Sequence, residues 1–273
     1  MRERSRALVL MYHQIVADDC PDNWVPAPLA DPHYGVRLST FRRQMEAVRK
    51  SGIPVCSLSD WITDPGRQER DDRLSLIITF DDGYASDLDL AAPVLESLGI
   101  PVTFFISTGF MGQSGMMSWE NVESLARKPH FSIGSHGVSH RFLSALPEEE
   151  CRKELEESLR QIGDLYRRAG RCNEEPIDLS APGGRTSPEV ASLAGRAGFR
   201  ALMTSAPGVL MPRGDLYSIP RLPVMAHHSE RNLLRLLDPE SLAFLMNRWV
   251  RSGKKLAGTL LDRAKSFRRE VPA

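Results

Sequence analysis

The chain has 273 residues, 41% hydrophobic and 26% charged, an ordinary globular composition that excludes intrinsic disorder. Lys plus Arg number 35 and Asp plus Glu number 35, so overall charge points to neither a nucleic acid nor a membrane partner. Cys20, Cys56, Cys151 and Cys172 are scattered with no CxxC pair, which predicts reduced thiols in a cytoplasmic protein and no cysteine-based zinc site.

The N-terminal Met1–Ile15 stretch is basic, but its apolar part runs only from Ala7 to Tyr12. A secretory core needs roughly 7–15 apolar residues, so residues 6–12 are predicted to be a first β-strand. No segment approaches the ~20 apolar residues of a transmembrane helix. Further strands are predicted at 53–58, 74–80, 101–106, 131–135, 177–181, 199–204 and 216–222, each a short apolar run bounded by Gly, Pro or Asp. Helical patterns lie between them. Ser39 is a candidate cap for 40–51. Residues 87–98 stop at Gly99 and residues 147–169 end at Gly170. Ser187-Pro188 is a cap with proline in the first turn of 188–197, and Gly198 ends that helix. Alternating strands and helices on this scale predict an α/β fold, a single (β/α) barrel over residues 1–238. Residues 13–37 and 205–215 are expected loops. A tail, 239–273, mixes Leu242, Phe244, Leu245 and Trp249 with Arg248, Arg251, Lys254 and Lys255. Two readings fit it: a helix packed on the barrel with a solvated basic end, and a basic amphipathic helix making peripheral membrane contact.

In such barrels the chemistry sits on the loops after the strands. Asp81-Asp82-Gly83 closes the apolar run Leu74–Phe80. Two adjacent carboxylates at the end of a buried strand tolerate each other if a cation lies between them, or if one binds metal while the other works as a base. His136 and His140, four apart after the 131–135 strand, can converge on one ion, and imidazole suits zinc and related metals. Two histidines and one aspartate leave open positions, the arrangement of a catalytic rather than a structural metal site. His13 follows the first strand and so belongs on the same rim.

Thr79-Phe80-Asp81-Asp82-Gly83 followed by His136-Gly-Val-Ser-His140 resembles the polysaccharide deacetylases of carbohydrate esterase family four, the nodulation-type deacetylase domain. Ile100–Ile106 and Ala181-Pro182-Gly183-Gly184 are similar to that family's flanking and third motifs, and the resemblance spans roughly residues 5–225. It implies a distorted (β/α)7 TIM-like barrel, one divalent ion (Zn2+, with Co2+ or Ni2+ as alternatives) on Asp82, His136 and His140, and Asp81 as general base. It also implies an N-acetylated saccharide as substrate, of a polysaccharide or a lipid-linked precursor. The family's general acid lies on a Leu-x-x-His motif near the C-terminus; here Leu10-x-x-His13 fits it at the N-terminus, a circularly permuted placement similar to that of the biofilm poly-N-acetylglucosamine deacetylases. His227-His228 is a rival for the acid. Ser180 stands where the family has a third-motif Arg, so Arg185 or Arg221 is expected to reach back to Asp81. Tyr84, Trp119, Pro182, Gly183 and Gly184 complete the expected substrate-binding and supporting set. O-deacetylation, opening of a cyclic amide or imide, and an inactive sugar-binding module are the alternatives. A cytoplasmic enzyme, peripheral at the inner face of the membrane, is expected.

Overall fold

β1 (Arg6–Tyr12) and β2 (Leu74–Phe80) run parallel in full register, from Arg6 opposite Leu74 to Tyr12 opposite Phe80. These strands come from a computed structural model that describes residues 6–21, 27–63, 74–171, 177–241 and 244. β3 (Val102–Ile106), β4 (Phe131–Ser135), β5 (Leu179–Ser180) and β6 (Leu202–Met203) follow outward from β2, and β7 (Leu222–Pro223) lies on the other side of β1. All seven strands pair in parallel. The segment leading into β7 also joins β6: Leu202 N donates to Leu216 O (2.8 Å) and Thr204 N to Ile219 O (2.9 Å). One stretch thus touches both edges, and the sheet closes into a distorted (β/α)7 barrel.

Both faces of the strands are buried, as a parallel sheet requires. Leu8, Leu10, Tyr12, Leu76, Ile78 and Phe80 face the surrounding helices, while Ala7, Val9 and Ile77 join Phe105, Met203 and Ile219 in a second, interior cluster. Aromatic rings link adjacent strands on the helix side. Tyr12 stacks on Phe80 at 5.2 Å, and Phe80 meets Phe104 at 5.4 Å between centroids. The period-two alternation continues past these residues, so Thr79 and then Asp81 follow Ile77 toward the interior.

The helices are α1 (Leu38–Lys50), α2 (Leu58–Thr63), α3 (Ala92–Ser97, entered through a π-turn at Asp87–Ala91), α4 (Trp119–Ala126), α5 (Glu148–Arg168), α6 (Pro188–Ala197) and α7 (Glu230–Leu236). α6 has the expected ends: the Ser187 side chain accepts from Val190 N, and Gly198 closes the helix at φ 107°. Three expectations change. Residues 53–58 are not a strand: Val55 alone bridges Leu76. Pro54 has no N–H to give a ladder, and Ser57 and Asp60 instead cap each other to start α2. The strands predicted at 177–181, 199–204 and 216–222 shrink to two-residue ladders. Ser39 does not cap α1, whose N-cap is Arg37; Asp18 takes both its N–H (3.1 Å) and its hydroxyl (2.7 Å). Within the expected loop 13–37, Ile15–Val16 and Val36–Arg37 form a short parallel ladder of their own.

α7 packs on α1, where Gln44 Nε2 donates to His228 O at 2.6 Å. Of the predicted tail, Phe244 is buried against the main core; residues 242–243 and 245–273 lie outside the described residues. No helix among the described residues is long and apolar enough to cross a membrane.

Candidate metal centre and active site

Gly83 breaks β2 at its carboxyl end. Its φ is 91°, and a Cβ there would lie 2.9 Å from Met111 Cε and 3.0 Å from Ile106 Cγ2, so only glycine makes this turn. Asp82 also takes a positive φ of 82°, unusual for a residue with a Cβ and a mark of local strain. That twist lets two successive carboxylates serve one cleft. Asp81 follows the strand into the barrel, and Asp82 is turned toward the loop after β4.

His136 and His140 lie on that loop. Nδ1 of His136 is 2.8 Å from the Ser180 carbonyl. A carbonyl only accepts, so Nδ1 carries the proton and, in the neutral ring, Nε2 presents its lone pair. That lone pair faces carboxylate oxygens: Asp82 Oδ1 at 3.5 Å and Asp81 Oδ2 at 3.9 Å. His140 Nε2 lies 3.2 Å from the same Asp82 Oδ1, which is buried without a satisfying hydrogen bond. The ligand atoms of Asp82, His136 and His140 all lie within 4.8 Å of one another. An ion with tetrahedral bonds of ~2.0–2.2 Å spaces its ligands about 3.3–3.6 Å apart. An orphaned anionic oxygen, a fixed tautomer and these separations fit a small divalent cation.

Burial penalises both carboxylates and would raise them, but the surroundings win. For Asp81 the Arg221 guanidinium, then His136, hold the carboxyl far below the usual range. For Asp82 the imidazoles of His140, His13 and His136 outweigh the burial and lower it. Burial pushes His136 down to about 4, keeping it neutral, the form that ligates metal.

Arg221 is the residue that reaches Asp81. Nη1 donates to Asp81 Oδ1 at 2.8 Å and Nη2 to Oδ2 at 2.7 Å. Its remaining donors go to Thr204 O, Thr79 Oγ1 and Ser180 Oγ. Ser180 in turn donates to Asp81 Oδ2 at 3.2 Å, so the serine at the place of the family's arginine belongs to the same network. Arg185 does not approach Asp81; its guanidinium lies over the Phe142 ring at 4.4 Å. Tyr84 is buried and donates to Asp82 Oδ2 at 2.9 Å, so it braces the aspartate instead of meeting a substrate. Trp119 opens α4 and packs, half-buried, against the main core. Pro182 is buried, and Gly183 and Gly184 take φ of 64° and 65°.

His13 is half-buried at the end of β1, with its ring 4.4 Å from that of Tyr34. Its Nδ1 is buried and unbonded, and the residue is among the groups that lower Asp81 and Asp82. His228 is committed elsewhere: Nδ1 accepts from Met225 N at 3.1 Å and the ring packs on His227.

Sequence reasoning missed Glu154. This α5 carboxylate accepts from Val138 N (2.8 Å), Ser139 N (2.9 Å) and Ser139 Oγ (2.5 Å). It holds the loop that separates the two histidines. The signal was present: Glu154 and Ser158 are polar residues on the buried stripe of Cys151, Leu155 and Ile162. Asp87 was also missed. Both of its oxygens are buried without a partner among the described residues, and burial, then Asp82, raises its carboxyl well above the ordinary value. A raised folded-state value gives stability that is complete below the unfolded value of ~3.9. That stability is lost as pH rises through the folded one. Asp87→Asn should therefore raise the melting temperature at pH 8, by about 2–8 °C for ~1–2 kcal/mol of relieved burial, and give no gain at pH 4. Equal shifts at both values would sink this account; thermal denaturation followed by circular dichroism reads it.

Barrel and centre together define a class: α/β barrels bearing an Asp-His-His group and a second, guanidinium-held carboxylate on the carboxyl-end rim. Residues 68–202 match the family model for polysaccharide deacetylase, and the chain belongs to that family. It is similar to YxkH of Bacillus subtilis (strain 168), itself described as a polysaccharide deacetylase by name only, at 26% identity over 149 residues. That match covers 55% of this chain and 51% of YxkH, so the chain spans about half the length of that relative. The Streptococcus pyogenes deacetylase PplD, solved in complex with acetate, shares the fold at TM-score 0.70 and 20% identity, over 86% of this chain and 99% of that one. IcaB from Ammonifex degensii shares it at TM-score 0.63 and 22% identity, over 80% and 91%.

Proposed function

We propose that this chain is a divalent-metal-dependent hydrolase that removes N-acetyl groups from hexosamine residues of a saccharide. The observation that carries the reading is the position of Asp81. It is gripped by Arg221 at 2.8 and 2.7 Å and lies beside the Asp82, His136 and His140 group, 3.9 Å from His136 Nε2, with both oxygens engaged by the guanidinium. When bound there, a divalent cation supplies Lewis acidity and makes a water molecule a nucleophile at neutral pH.

The side chains divide the remaining work. Asp82, His136 and His140 hold the ion. Asp81, ionised because of Arg221, accepts the water's proton as the C–O bond forms and aims the nucleophile at the acetamide carbon. The Gly183 N–H is the oxyanion donor in this reading, a contribution of ~3–4 kcal/mol for such groups. His13 gives a proton to the departing amine, without which the C–N bond does not break. Leu10-x-x-His13 at the end of β1 supports the permuted acid placement, and the commitments of His228 leave it a poor rival. Arg221 supplies the guanidinium that Ser180 does not, so the altered third motif is no argument against deacetylation.

The test measures released acetate and free amine from N-acetylglucosamine oligomers, beside an O-acetylated xylan and a cyclic imide, with the protein's metal content determined in parallel. Oligomers should be the productive substrates. Chelation should reduce turnover at least ~100-fold, and added zinc or cobalt should restore it. A protein that neither holds nor responds to zinc, cobalt or nickel, or that hydrolyses only the ester or the imide, overturns the reading.

A further inference from the structure

The loop that carries His140 continues into an exposed aromatic residue the chemistry above does not use. Phe142 is 41% exposed, one of three large apolar side chains so exposed among the described residues. Its ring is not loose. One face carries the Arg185 guanidinium, 4.4 Å from the centroid, a cation–π contact. Its edge lies against Gly183, where an added Cβ would sit 2.5 Å from Phe142 Cε1. Gly183 has a left-handed φ of 64°, so the backbone of the third motif has been cleared to admit this ring. Phe142 is two residues from His140, and Gly183 is three residues from Ser180, which contacts both His136 and Asp81. An ordered, half-exposed aromatic plane therefore borders the candidate centre.

Beyond that pair lies a groove of about 570 Å³, bounded by Leu143 and Ser144 on one side and Ser187 and Pro188 on the other. Leu143 directly follows Phe142 in the chain and Ser187 comes two residues after Arg185, so one end of the groove adjoins the pair. It starts between the first turns of α5 and α6, where the strands end, and extends along α6 to Arg196 in that helix's last turn. Its polar lining includes Ser192 and an ion pair between Arg196 and Glu148 at 3.5 Å. Hydroxyl, carboxylate and guanidinium groups in the groove, with an aromatic ring on the residue before it, suit a hydroxyl-rich ligand with apolar ring faces.

We propose that Phe142, backed by Arg185, is the platform on which a hexosamine ring next to the reacting residue stacks, and that the α5–α6 groove holds the units following it. This rests on the proposed deacetylation and adds to it a direction for the polymer and a preference for chain length. Phe142 is a positioning and specificity residue. It binds the neighbouring sugar and does not touch the reacting atoms.

The experiment compares kcat and KM on N-acetylglucosamine dimer and tetramer with those on an aryl acetate, which has no neighbouring sugar. Phe142→Ala should lower kcat/KM for the tetramer about 10-fold more than for the aryl acetate, chiefly through KM. Phe142→Trp should restore the tetramer preference. Arg185→Ala should give a smaller loss with the same selectivity. Calorimetric titration of the tetramer into Asp81→Asn protein, with and without Phe142→Ala, reads binding apart from turnover and should show the same weakening. Equal losses on all substrates, or unchanged tetramer affinity, overturn the platform while deacetylation stands. Absence of acetate from every saccharide, with the aryl acetate still cleaved, overturns the functional reading and the platform with it.

Discussion

Asp81→Asn lowers turnover of an N-acetylated saccharide by about 10²–10⁴-fold, the usual contribution of a positioned base, and leaves bound metal unchanged. The substitution keeps the side chain's shape and one acceptor for Arg221, whose other donors already have Thr204, Thr79 and Ser180. It removes the proton-accepting ability and also the countercharge of the buried guanidinium, so some loss of stability accompanies the loss of turnover and is measured alongside it. His13→Ala should lose a similar factor on the saccharide amide, because an amine leaves only when protonated. On an aryl acetate, whose phenolate leaves unaided, the His13 variant should lose less than about 10-fold, while the Asp81 variant loses its full factor. Steady-state kinetics on the two substrates, with metal content measured alongside, decide the assignment. Equal losses in the His13 variant on both substrates move the acid role elsewhere. Loss of metal in the Asp81 variant makes that residue a ligand and not a base.

Arg221→Met is expected to be the most destabilising of the site substitutions, at about 3–5 kcal/mol, the scale for breaking a buried ion pair from one side. Arg221 is fully buried, and Asp81 is 2% exposed, so the carboxylate left behind loses its countercharge and keeps only the Ser180 hydroxyl at 3.2 Å. Adding Asp81→Asn to Arg221→Met should recover much of the loss, because the orphaned charge is then gone. Urea denaturation of the two single variants and the double measures that coupling. The rate should change with pH as well. In the wild type the depressed Asp81 value keeps the base ionised at any usable pH, and its stabilising contribution fades only as pH falls through that low folded value. Without the guanidinium, burial is opposed only by the imidazoles, and the carboxyl rises. The acid limb of kcat then moves to higher pH. A variant as stable as the wild type, with an unmoved acid limb, would remove Arg221 from the network.

Local chemistry was legible along the chain. β1, β2 and β4 match their predicted bounds because each is a short apolar run with punctuation at both ends. α6 matches because Ser-Pro and Gly fix its ends by backbone geometry alone. The adjacent aspartates and the four-apart histidines stood out for the same reason: each pair is close in sequence, and each follows a strand. Residues 53–58 misled because periodicity reports burial, and the segment is buried at Cys56 and Leu58 without a ladder of its own.

The sequence by itself therefore determined a parallel α/β barrel and the residues able to hold a metal at its rim, since strand alternation and turn chemistry act over a few residues. Only the tertiary structure decided which guanidinium pairs with Asp81: Arg185 and Arg221 were equal candidates on paper, and Arg221 lies 140 residues away. The same holds for Glu154, which fixes the histidine loop from another element, and for the contact of Phe142 with Gly183. The physical reason is closure. The stretch before β7 hydrogen-bonds β6 at Leu216 and Ile219, and β7 pairs with β1. That folding step carries Arg221 into the barrel beside Asp81, where a buried charge must find its partner, and nothing local to either residue encodes the meeting.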